Sequence, residues 1–89
     1  MRIGVPKEIK THEYRVGLTP AGVRELVRHG HSVAVETGAG TGTGHDDDAY
    51  RAAGGQVLDS AEAVFAGAEM IVKVKEPQPQ ECARLRGDQ

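Results

Sequence analysis

Four short apolar runs alternate along this chain with four segments of helical spacing, and that alternation restricts the fold more than any other feature. Ile3 and Val5 lead into Pro6. SVAVE spans Ser32 to Glu36, Gln56 to Leu58 form a short third run, and Met70 to Val74 a fourth. Between the first two, Thr19 stands at a helix N-cap and Pro20 at the first helical position, where a missing N–H costs nothing. Val23, Leu26 and Val27 keep helical spacing, and Gly30 is placed for a left-handed C-terminal cap. A second helix is predicted from about Asp46 to Ala53, broken by Gly54 and Gly55. Ser60 caps a third, in which Ala61, Val64, Phe65 and Ala68 fall at i, i+3, i+4 and i+7. A fourth begins near Gln80, after the turn at Pro77 and Pro79. The order βαβαβαβα predicts an α/β layer fold, a parallel sheet with right-handed crossovers and flanking helices.

A chain of 89 residues makes at most one domain with a thin core. Tyr14, Tyr50 and Phe65 are the only aromatics, so Val, Leu, Ile and Ala must fill the interior. A helix that begins at Gln80 with no closing strand before Gln89 suggests the opening piece of a longer protein; a complete mini-domain is the alternative. The net charge of -2 argues against nucleic acid or an anionic membrane as partner. No apolar run approaches the roughly 18 residues of a membrane span, and no secretory signal pattern opens the chain. Cys82 is alone, which excludes an internal disulfide and makes a reducing, cytoplasmic location the default. It lies among Gln80, Glu81 and Arg84, a polar setting that does not suit a catalytic thiol.

Open parallel sheets bind ligands outside the carboxyl ends of their strands. The first strand ends near Pro6, so the following loop, with Arg15, lies on that edge; the fourth ends near Lys75, whose side chain emerges there too. A guanidinium can grip a carboxylate through two parallel hydrogen bonds, and an ammonium adds a compact charge beside it. Arg15 and Lys75 are therefore the candidate substrate-binding residues. Lys73, on the same strand face as Lys75, is a weaker second candidate. Glu8, Glu13 and Glu76 are expected to orient these cations, and His12 to line the pocket.

Other features look chemical without being so. GAGTGTG, Gly38 to Gly44, follows a strand and precedes a helix, yet its alternating glycines put Thr43 where G-x-G-x-x-G needs its third glycine. Asp46, Asp47 and Asp48 open the next helix; they would repel a pyrophosphate and instead complement the helix dipole. The aspartate run lacks the spaced ligands of a calcium loop, and His12, His29, His31 and His45 lack the pairing of a zinc site. No cofactor-binding or metal-binding residue is expected in the chain.

At MRIGVPKEIK, EYRVGLTPAGV, VETGAGTGTG, the D-x-x-Y of Asp47 to Tyr50 and AVFAGAEMIVKVKEP, the sequence resembles the N-terminal part of the alanine dehydrogenase family. The resemblance covers all 89 residues, with departures at His45 and Cys82. It implies that residues 1–89 form the N-terminal portion of a Rossmann-like substrate domain, with the NAD-binding domain absent. It implies NAD-dependent oxidative deamination of L-alanine to pyruvate and ammonia, with Arg15 of EYRV and Lys75 of KVKEP binding substrate. The family's catalytic His and Asp would fall beyond Gln89, leaving no catalytic residue here and a chain inactive alone. The resemblance also implies a homo-oligomer, commonly a hexamer. The rivals are the N-terminal domain of nicotinamide nucleotide transhydrogenase, the saccharopine dehydrogenase group and a non-catalytic remnant; EYRVGLTP and VKVKEP favour the dehydrogenase over the transhydrogenase.

Overall fold

The computed structural model describes residues 1–9 and 15–74. They run β1 (Arg2–Val5), α1 (Pro20–Arg28), β2 (Ser32–Glu36), α2 (Asp47–Ala52), β3 (Gln56–Leu58), α3 (Ala61–Gly67) and β4 (Met70–Ile71), with a 3-10 turn at Thr41–Thr43. The strands lie in the order β3-β2-β1-β4, and every neighbouring pair is parallel. This is the α/β sheet that strand–helix alternation predicts. The helix expected near Gln80 lies outside the described residues.

The helices start where side chains can accept their first amides. Thr19 accepts from Gly22 N–H (3.3 Å), Asp46 from Ala49 N–H (2.9 Å) and Ser60 from Ala63 N–H (3.2 Å). Such a cap contributes about 1 kcal/mol. At the far end of α1, Gly30 takes φ 90° and donates to the Val27 carbonyl at 3.0 Å, the left-handed ending expected of it.

Register decides the core. Ile3 pairs with Val33 and Val5 with Val35, so all four side chains share one face. There they are buried with Val23 of α1 and with Tyr50 and Ala53 at α2. Gly4 faces the opposite side, against Val64 and Ala68. Val64, Phe65 and Ala68 are buried there, so α3 covers this second face. Two helices on one face and one on the other follow from the chain reversing direction across the sheet. It steps outward through β2 and β3, then crosses back to set β4 on the far side of β1.

One element is shorter than expected. The run from Met70 to Val74 forms a ladder only over Met70–Ile71. Val72 N–H still reaches the Gly4 carbonyl at 3.0 Å, but Val74 N–H turns to the Glu8 carboxylate at 3.1 Å. A side chain has replaced the neighbouring strand as hydrogen-bond partner.

Candidate functional site

The order of strands reverses between β1 and β4, and in such sheets the crevice beyond the carboxyl ends at that point is the usual ligand position. Glu8, three residues past the end of β1, is the buried charged residue of this edge, 7% exposed. One carboxylate oxygen receives Lys73 Nζ at 3.1 Å and the other receives Val74 N–H at 3.1 Å. The two side chains are 2% and 6% exposed. Lys73, the weaker second candidate, has its ammonium held inside the protein against Glu8. Two charges taken out of water are tolerable only when their hydrogen bonds are well met, as here.

Arg15 is exposed, at the start of the described stretch that leads into α1. Two residues on, Gly17 lies against the backbone of β4's continuation. A Cβ built there would stand 2.5 Å from the Val72 carbonyl oxygen and 2.9 Å from its carbon. No side chain fits, so only glycine lets the Arg15 stretch lie so close to β4. Val16 and Leu18 pack on the main core on either side of it.

The stretch is also tied from below. Tyr50, fully buried, donates its hydroxyl to the Leu18 carbonyl at 2.8 Å. Burial pushes this hydroxyl's pKa up, so it stays a donor through the neutral range. Lys75 lies outside the described residues, as do His12, Glu13, Glu76 and Cys82. What the described residues bring together are the two stretches that lead to the candidate cations: Val16–Gly17 beside Val72, and Glu8 beside Lys73 and Val74. Gly17 and Tyr50 escaped sequence reasoning as site elements. Both sit inside quoted motifs, but a motif does not say which backbone a glycine must approach.

The glycine-rich loop on the same edge closes on itself. Asp47 accepts the Gly38 N–H at 2.9 Å and the Thr37 hydroxyl. The Gly38 N–H first, then the Thr37 hydroxyl, holds the Asp47 carboxyl below the ordinary aspartate range. An amide that a dinucleotide phosphate would need is thus already bonded to a carboxylate. The tight approach at Gly40, where a Cβ would meet Tyr50 at 2.7 Å, explains part of the glycine content by packing. Among the described residues no cluster of three His, Cys, Asp or Glu could hold a metal, and no helix is long and apolar enough to cross a membrane.

Comparison with known proteins extends these findings. The domain family described as alanine dehydrogenase/PNT, N-terminal domain, matches residues 4–89. The alanine dehydrogenase of Halomonas elongata is 53% identical over the whole chain, which spans 24% of that protein. The NAD(P) transhydrogenase subunit alpha of Cereibacter sphaeroides is 47% identical over the whole chain and 17% of its own length. Among solved structures, an L-alanine dehydrogenase superposes with a TM-score of 0.97 at 54% identity, covering 100% of this chain and 24% of that one. A transhydrogenase from Sinorhizobium meliloti does so with a TM-score of 0.91 at 33% identity, covering 99% and 25%. The chain thus spans about a quarter or less of these relatives. With its sheet order, its capped helices and its full-length sequence match, the chain belongs to the alanine dehydrogenase/PNT N-terminal domain family.

Proposed function

We propose that this chain supplies the carboxylate-binding part of an NAD-dependent alanine dehydrogenase, which converts L-alanine, NAD and water to pyruvate, ammonia and NADH. The observation that carries this reading is the seam between the Arg15 stretch and β4, where Gly17 meets Val72 beside the point at which strand order reverses. Arg15 grips the substrate carboxylate with two guanidinium N–H groups. Lys75 takes the same carboxylate or the keto oxygen, where its charge offsets the negative charge that builds up when the carbonyl is polarised. The described residues do not fit NAD, because the glycine loop's first amide is bonded to Asp47 and three carboxylates stand at the helix behind it. NAD belongs to protein outside these residues, and this chain's share of the reaction is to bind and orient the substrate. Assembly into a homo-oligomer such as a hexamer, in the cytoplasm, accompanies this reading through the family resemblance.

The test is a pyruvate titration of the chain followed by amide NMR. Pyruvate should move the amides of Arg15, Val16 and Val74 in the parent. Arg15→Ala should weaken binding at least about tenfold, the effect of losing hydrogen bonds to a charged group. Equal binding by both chains would count against the clamp. A transhydrogenase subunit is the second reading, favoured by the 47% identity to that subunit. It is distinguished by indifference to pyruvate.

A further inference from the structure

We infer that Gly40 and Tyr50 are positioning residues for Arg15: the glycine-rich loop is a backstop that holds the Arg15 stretch in place through the Tyr50 hydroxyl. The inference rests on the carboxylate binding proposed above and concerns only its Arg15 side. Tyr50, fully buried in α2, donates its hydroxyl to the Leu18 carbonyl at 2.8 Å, across 32 residues of chain. The hydroxyl end of the ring lies against Gly40. A Cβ built there would stand 2.7 Å from Tyr50 Cε2 and 2.8 Å from the hydroxyl oxygen. It could not retreat either, because the His45 carbonyl oxygen is 2.7 Å from the same point. Gly40 has φ −94°, a value open to other residues, so contact alone demands glycine there. The loop backbone thus reaches the very group that carries the bond to Leu18.

What the bond adds is direction. Val16 and Leu18 pack on the core and Gly17 lies against Val72, so the stretch after Arg15 is already pressed onto the protein. Apolar contact is non-directional and leaves a peptide free to turn, whereas a hydrogen bond aims the carbonyl it meets. Holding the Leu18 carbonyl fixes the peptide that joins Leu18 to Thr19, the N-cap of α1. A guanidinium that must offer two parallel N–H groups to one carboxylate depends on such aim. The backstop is itself firm. Ala39 is buried in the core, and the Gly40 carbonyl accepts the N–H groups of Thr43 at 3.1 Å and His45 at 2.9 Å. Asp47 instead binds the near end of the loop, at Thr37 and Gly38, so that end can loosen without moving Gly40.

The test is a double-mutant cycle on the 89-residue chain, with pyruvate as probe, read by amide NMR and urea unfolding. Tyr50→Phe removes the hydroxyl and adds no atom. It should shift the Arg15 and Val16 amides and raise the pyruvate dissociation constant about fivefold, as the loss of one hydrogen bond would. Gly40→Ala keeps the hydroxyl but drives the ring off it, and should weaken pyruvate binding by at least as much. Together the two changes should weaken binding only as much as the stronger of them alone, because both act through one bond. Two folded variants that lose stability yet bind pyruvate as the parent does would have a structural role only, and the inference is overturned. Full additivity of the two losses in binding overturns it as well. Should Gly40→Ala not fold, Tyr50→Phe decides alone, and a rise of less than about twofold overturns the inference while leaving Arg15 as the carboxylate ligand. Absence of pyruvate binding in the parent overturns the proposed function itself, and the positioning role with it.

Discussion

Two loops leave the carboxyl edge of the same sheet and are held by carboxylates in opposite senses. After β2, Asp47 reaches back to Thr37 and Gly38 and closes the loop over itself, a bond spanning nine or ten residues. After β1, Glu8 reaches across to Lys73 and Val74, more than sixty residues away, and joins two separate stretches. The first arrangement spends the Gly38 amide on the loop's own helix. The second uses one cation and one amide to hold a strand end beside the point where strand order reverses. A glycine-rich loop is thus the quieter of the two, although it is the more conspicuous in sequence.

Substitutions can separate the two regions. The largest effect is expected from Tyr50→Ala, because Tyr50 serves both: it packs on Gly40 in the glycine loop and holds the Leu18 carbonyl behind Arg15. Truncating a fully buried aromatic side chain should cost about 3–5 kcal/mol, measured by urea unfolding, and both loops should loosen together. If only the glycine loop responds, Tyr50 does not support the Arg15 stretch.

Gly17→Ala should act on one side alone. The new methyl would press on the Val72 carbonyl, a backbone atom that cannot rotate away, at a cost of about 1–3 kcal/mol. Pyruvate binding should fall about tenfold or more by NMR titration, with the Gly38 to Gly44 amides unchanged. Retained binding would separate the Arg15 stretch from β4.

Asp47→Ala should give the smallest effect, confined to the other side: about 1–2 kcal/mol from two lost hydrogen bonds, and unaltered pyruvate binding. Because folding lowers the Asp47 pKa, its contribution is complete above the ordinary aspartate value and is lost as pH falls through the lowered one. The parent should therefore lose melting temperature below about pH 4 more steeply than Asp47→Ala. Parallel pH profiles would mean that the carboxylate does not hold the loop.

Local chemistry is what made much of this protein legible from residues alone. Thr19, Pro20 and Ser60 announce helix starts because a cap needs only the next three amides, and β2 falls on Ser32–Glu36 because its period-two burial is local too; β3 falls on Gln56–Leu58, a short run that follows the Gly54–Gly55 break. The end of β4 differs for the complementary reason: Val72 and Val74 extend the apolar run of a strand, but the ladder ends at Ile71 and Glu8 offers Val74 a different acceptor. A lysine two residues before Lys75 looks like a second ligand-facing charge until its ammonium is found buried against a carboxylate sixty-five positions away.

What the residues determine by themselves is the succession of strands and helices, the caps that bound them and the family to which the motifs point, all set by interactions within a few positions. Tertiary structure decided which backbone Gly17 must approach, which carbonyl Tyr50 must hold and which cation Glu8 must bury. Those choices depend on strands placed side by side by the reversal between β1 and β4, and no spacing along the chain encodes the distance between two segments that meet only after folding.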